Sequence, residues 1–222
     1  MSQYNEVKIA RLAKIFLQKG PGPVSVADIG CFNRPIYDWL IKVAEVSSYV
    51  GVDPDPIAIS DLKKRNLKCI PPEEFKLIDD VDYCFGLEVI EHIKRSQSEQ
   101  FLRTLRDKTR KAIIMTTPNF EGWDADPSQL TAKRRPEFTE LRYIPDHIPG
   151  YEVESQNPHS HKQIMTVEIL SEQIISVFPS NEWDWVIYRA WPWHFSDLAR
   201  NTDFSHYFKL HFAIFRKSLD MR

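Results

Sequence analysis

Acidic residues stand at the ends of apolar runs in this chain, where carboxylates can do chemistry. Val24 to Ile29 carries Asp28 and is closed by Gly30. Ser48 to Val52 is closed by Asp53 and Pro54. Asp82 to Leu87 is followed by Glu88-Val89-Ile90-Glu91-His92. Carboxylates so placed accept hydrogen bonds from a nucleoside, above all from its ribose hydroxyls, and an imidazole beside them can take a proton from a substrate hydroxyl near neutral pH. Downstream, His159 and His161 follow Pro158 just before a helical pattern. Glu88, Glu91, His92 and His161 also have the donor types for a divalent metal. The plainer alternatives stay open: Asp28 and Asp53 as turn or cap carboxylates, and Glu91 and His92 as an exposed first helical turn.

These residues need strands that end together at one edge. Ile36, Trp39, Leu40, Val43 and Ala44 recur at helical spacing after Pro35, and Pro56 to Asn66 gives a second helix. Leu67 to Ile70 reads as a short third strand and Pro71 to Glu74 as a break. Asp82 to Leu87 is a central strand, a helix follows from about Ser96 to Lys108, and Lys111 to Met115 is a fifth strand ending in Thr116-Thr117-Pro118-Asn119. Thr166 caps a helix to Phe178, and Trp185 to Ala190 and His206 to Phe215 are the last strands. Sustained alternation of strand and helix predicts an α/β, doubly wound, mostly parallel sheet of seven strands. Parallel β-α-β units bind ligands at the carboxyl edge of the sheet.

Before the sheet, Ile9, Leu12, Ala13, Phe16 and Leu17 form a helical stripe within residues 1–20, placed to pack on the sheet or to lid a ligand. Between Phe120 and Pro158 periodicity disappears and prolines punctuate a polar stretch, the pattern of a binding loop or lid inserted after the fifth strand. Lys133-Arg134-Arg135 within it suits an anionic substrate. The four tryptophans from Trp183 to Trp193 suit a core or interface.

At 222 residues, with 42% hydrophobic and 12% aromatic residues, the chain suits one globular domain. A formal charge of -2 gives no general attraction to nucleic acid. Cys31, Cys69 and Cys84 lie too far apart in sequence for a disulfide framework or a CxxC metal knuckle. No apolar run is long enough to span a membrane and the N-terminal residues lack a signal-peptide core, so a soluble cytoplasmic protein is expected.

Four segments, VADIGC, YVGVDPDP, CFGLEVIEHI and AIIMTTPN, resemble in order and spacing the motifs of class I S-adenosylmethionine-dependent methyltransferases. The likeness runs from Val24 to Phe215 and is nearest the ubiquinone and small-molecule branch. It implies a Rossmann-like methyltransferase fold and S-adenosylmethionine as cofactor, with no metal needed. It places Asp28, Gly30 and Cys31 along the methionine moiety, Asp53 and Pro54 at the ribose, and Glu88 facing cofactor or substrate. His92 and His161 become candidate catalytic residues acting on an oxygen or nitrogen of a small molecule. Where family members carry further glycines after the first, this chain has Cys31-Phe32-Asn33-Arg34-Pro35, so Phe32 and Asn33 must turn aside or fill space. That departure motivates a second reading, a catalytically degenerate binding or partner subunit. A thinner likeness, through ExxEH and a later histidine, is to metal-dependent enzymes that 2′-O-methylate RNA 3′ ends.

Overall fold

The computed structural model describes residues 14, 16, 17, 22–119, 163, 165–190 and 208–218. The insert and His161 lie outside these residues, as does most of the N-terminal stripe. Seven strands form one sheet in the order β3-β2-β1-β4-β5-β7-β6. They are β1 Val24–Ile29, β2 Val46–Val52, β3 Cys69–Ile70, β4 Val81–Leu87, β5 Thr109–Asn119, β6 Trp183–Ala190 and β7 Phe208–Arg216. The first five run parallel, and β7 lies antiparallel between β5 and β6. This is the expected doubly wound sheet.

Strands β1 and β4 are buried along their whole length, as central parallel strands covered on both faces should be. One face carries Ile113, Met115, Leu210, Phe212 and Ile214 against Leu102, Leu105, Leu170 and Ile174. These last four belong to helices α3 (Arg95–Lys108) and α4 (Val167–Val177). The opposite face packs Val26, Phe85, Ala112, Ile114 and Ala213 with Phe16, Leu17 and Leu40. Phe16 and Leu17 therefore seat part of the N-terminal helix on the sheet, and the hydroxyl of Tyr83 donates to the Phe16 carbonyl at 2.9 Å.

Local chemistry sets the helix starts. Asp55 caps α2 (Pro56–Lys64) by accepting from the Ile57 N–H at 2.8 Å, with Pro56 in the first turn. Thr166 caps α4 as expected, accepting from the Ile169 N–H at 3.3 Å.

Three local expectations are corrected. The helix after Pro35 is a single turn, α1 (Tyr37–Leu40), continued as turns, because i→i+3 bonds of Lys42 N–H to Trp39 O and Val43 N–H to Leu40 O interrupt the α-helical ones. The expected break at Pro71 to Glu74 is instead the start of a 3-10 helix, Pro72–Leu77. The EVIEH segment is neither strand end nor exposed first turn but a 3-10 turn of its own, Ile90–His92, with Glu91 fully buried. Among the described residues no helix is long and apolar enough to cross a membrane.

Candidate functional site

Strands β1, β2 and β4 deliver Gly30, Asp53 and Glu88 to one edge of the sheet, since Ile29 pairs with both Val52 and Gly86. Gly30 has φ +66° and a Cβ built there would lie 2.6 Å from Val89 Cγ2. The turn therefore needs glycine twice over, for its left-handed backbone and for the approach of the Glu88–His92 segment.

Phe32 also adopts a left-handed conformation, φ +44°. A non-glycine residue there costs about 1–2 kcal/mol, and a strong hydrogen bond offsets it: the Phe32 N–H donates to Asp53 Oδ2 at 2.7 Å. The Asp55 N–H donates to Asp53 Oδ1 at 2.9 Å. Asp53 thus ties the loop after β1 to the end of β2, while two carboxylate oxygens offer about four acceptor positions, leaving capacity for a ribose diol. The Phe32 ring is turned outward and 46% exposed. Pro54 is exposed.

Asp28 acts from behind this loop. It is 2% exposed, and its Oδ2 accepts from the Ile36 N–H at 2.9 Å and from the Tyr49 hydroxyl at 2.7 Å. Burial pushes its carboxyl up to about 7, against the pull of those two hydrogen bonds and with a further push from the charge of Asp53. The Tyr49 ring is held edge-on by Tyr37, centroids 5.1 Å apart. Cys31 likewise faces inward, its Sγ 3.7 Å from Cys69 Sγ over the bare Cα of Gly51. Burial raises both thiols, most of all Cys31.

Glu88 has φ +57°, a strained conformation of the kind that gathers at functional sites. Its N–H donates to the Thr116 carbonyl at 3.0 Å. The Thr116 hydroxyl donates to Glu88 Oε1 at 2.8 Å. These bonds fix the carboxylate at the mouth between β4 and β5.

The turn that follows carries half-buried His92 and is clamped by a residue that sequence reasoning missed. Gln163 donates from Nε2 to the carbonyls of Ile90 and Ile93 at 2.8 and 3.0 Å, and from its backbone N–H to the Glu91 carbonyl at 3.2 Å. Its Oε1 in turn accepts from Gln173 Nε2 on α4 at 3.0 Å. Nothing local in the sequence marks Gln163; only its position two residues after His161 hints at a shared role. Tyr49 was also missed, though a tyrosine in an apolar parallel strand is a signal that its hydroxyl has a partner.

The structure thus brings Gly30, Asp53 and Glu88 together, puts Asp28 and Cys31 behind them, and places His92 on the adjoining turn. His161 and His159 lie outside the described residues. Among the described residues no three His, Cys, Asp or Glu side chains cluster as a metal site.

No protein-family model matches the chain, and no curated protein does. Solved structures do. The plantazolicin methyltransferase BamL, in complex with a triazolic desmethylPZN analog and SAH, is 16% identical, with a TM-score of 0.65 over 97% of this chain and 85% of that one. The magnesium protoporphyrin IX methyltransferase of Synechocystis PCC 6803 with bound SAH is 11% identical, TM-score 0.59, over 96% and 84%. A SAM-dependent methyltransferase from Archaeoglobus fulgidus is 15% identical, TM-score 0.61, over 97% and 94%. With strand order, register and neighbours in agreement, the chain has the Rossmann-like fold of class I methyltransferases.

Proposed function

We propose that this chain is an S-adenosylmethionine-dependent methyltransferase acting on an oxygen or nitrogen of a small molecule. The observation that carries the reading is the convergence of Gly30, Asp53 and strained Glu88 at the carboxyl edge of β1, β2 and β4. The residues fit the cofactor through Asp53, which keeps acceptor capacity for two ribose hydroxyls at the mouth where the Gly30 turn, Glu88 and Asp53 meet. Neighbours of the same fold were solved with SAH or SAM bound, which supports this choice of ligand.

In this reading Asp53 with Pro54 holds the ribose, and the loop Gly30 to Phe32 lies along the methionine moiety, braced from behind by Asp28. Glu88 orients the ligand from the β4 end. The bound cofactor supplies a methyl group on a cationic sulfur. The protein's work is then to align acceptor, methyl carbon and sulfur, and to take a proton from the acceptor. His92 and His161 are the side chains proposed for that proton. Neighbours named for plantazolicin, for magnesium protoporphyrin IX and for the methyltransferase domain of bacterial CtHen1 do not share one acceptor, so the choice of a small molecule rests on the net charge of -2, which gives no general attraction to nucleic acid. Three free cysteines suit a reducing cytoplasm.

Calorimetry with S-adenosylmethionine and S-adenosylhomocysteine tests the reading, and Asp53→Asn sharpens it. A charged hydrogen bond is worth about 1.5–3 kcal/mol, so the variant is expected to bind either ligand about ten- to a hundredfold more weakly. No heat from the wild-type protein at millimolar ligand refutes the assignment. One observation favours a degenerate binding subunit instead: the Phe32 N–H already holds Asp53 Oδ2. Under that reading neither ligand binds and Asp53→Asn changes only stability.

A further inference from the structure

His211 on β7 stands directly opposite Thr116 of β5. The pair lies one residue past the row Ile29–Gly86–Met115–Phe212 that crosses four strands. It is therefore level with Gly30 and Leu87, at the mouth of the sheet. Side chains alternate along strands, and the packing fixes which face this pair takes. Leu210, Phe212 and Ile214 pack on the face of Met115, whereas Ala213 packs with Ala112, Ile114 and Leu87 on the other. Thr116 and His211 belong to the second face, the one that also carries Phe16 and Leu17.

Cross-strand neighbours on one face have Cβ atoms about 4.5–5.5 Å apart, so the imidazole is within reach of the Thr116 hydroxyl. That hydroxyl donates to Glu88 Oε1 at 2.8 Å. A carboxylate, a hydroxyl and an imidazole thus stand in line along the mouth from β4 to β7. His211 is 2% exposed in a strand whose other described inward residues are Leu210, Phe212, Ala213 and Ile214.

We infer that His211 is a further catalytic residue, facing the acceptor across the mouth from Glu88 and receiving its proton in place of His92 or His161. The inference rests on the methyltransferase reading above. In such a transfer the acceptor's oxygen or nitrogen forms its bond to the methyl carbon as the carbon–sulfur bond breaks. The electron pair of that bond stays on sulfur as a thioether, and the acceptor's proton passes to an imidazole nitrogen. A base so placed contributes about a hundredfold or more to the rate.

The test reads the ring itself rather than turnover. In protein labelled at the histidine Cε1 carbon, the His211 signal is assigned by its loss in His211→Asn, or in His211→Gln if the first variant does not fold. S-adenosylmethionine and S-adenosylhomocysteine are then added in separate titrations. The two ligands differ only by the methyl group and the charge on sulfur. A ring that faces the transferring methyl takes distinct shifts in the two complexes, and Thr116→Val moves both. Identical shifts with both ligands, each bound by calorimetry, overturn the role of His211 and leave the cofactor assignment standing. Absence of any heat with either ligand overturns the cofactor assignment and this inference with it.

Discussion

Asp28 gives the structure a specific dependence on pH. Its carboxyl is buried and its proton is held up to about 7 from an ordinary 3.8. The desolvation comes from its place in β1 beneath the loop, and the titratable groups that interact with it are Tyr49, Asp53, Cys31 and Cys69. The unfolded chain releases this proton near pH 4 and the folded chain only near 7, so the fold binds the extra proton between those values. The stabilisation is complete below about pH 4 and is lost as pH rises through about 7. At about 1.4 kcal/mol per pH unit, ionised Asp28 costs the fold about 4 kcal/mol. Asp28→Asn keeps an acceptor for the Ile36 N–H and the Tyr49 hydroxyl and cannot ionise. Urea unfolding, followed by tryptophan fluorescence, should therefore show the variant gaining on the wild type by about 3 kcal/mol between about pH 5 and pH 7.5. Taking the difference cancels every group the two proteins share. Tyr49→Phe removes a bond that favours the ionised form and should carry the upper end of the window to higher pH. A difference that stays flat across this range refutes the placement of a protonated carboxyl beneath the loop.

Two further changes probe the turn after β4. Glu88 at φ +57° makes glycine the better small replacement, so Glu88→Gly should be more stable than Glu88→Ala by about 1 kcal/mol, the reverse of the usual order; equal denaturation midpoints would show that the strain is absent. Gln163→Leu leaves the buried Ile90 carbonyl and the part-buried Ile93 carbonyl without this donor and should cost about 1–3 kcal/mol. Combined with Gln173→Leu it should cost less than the sum of the two, because the second amide serves to hold the first.

The strands of this fold were legible because each is an apolar run closed by a residue with a distinct task. Val24–Ile29 ends at a glycine that must turn, Val46–Val52 at a carboxylate, and Val81–Leu87 at Glu88. Alternation of strand and helix then fixes parallel pairing through β5. The insertion of β7 between β5 and β6 is not a local property. It depends on where the chain returns after the seventeen residues between them, 191 to 207, whose turn-type residues mark a connection but not which strand the next one joins. The single-turn α1 was overread for a related reason: apolar spacing from Ile36 to Ala44 marks a buried stripe, and i→i+3 bonding buries the same residues. In the site, terminal carboxylates could be read from the chain, but their division of labour could not. Asp28 and Asp53 both stand near the end of an apolar run, but Asp28 lies within β1 opposite Gly51 and faces the core, where Tyr49 reaches it from β2, whereas Asp53 follows the last residue of β2 and reaches the mouth.

That division also accounts for the glycine-poor loop. Further glycines would make the backbone after Gly30 compliant without any outside support. Here the loop is instead held at several points: the Phe32 N–H by Asp53, the Ile36 N–H by Asp28, the Arg34 N–H by the Cys31 carbonyl at 3.2 Å, and the Cys31 side chain against Cys69. Such bonds fix a single conformation that glycines would only permit. A loop ordered in advance loses less entropy when a ligand arrives. The same bond that orders it, Phe32 N–H to Asp53 Oδ2, takes an acceptor position from the carboxylate proposed for the ribose. Affinity for S-adenosylhomocysteine therefore measures the balance between the two effects. Micromolar binding means that preorganisation outweighs the lost acceptor position, and absence of binding means that the loop has become a structural tie in a chain that keeps the fold without its ligand.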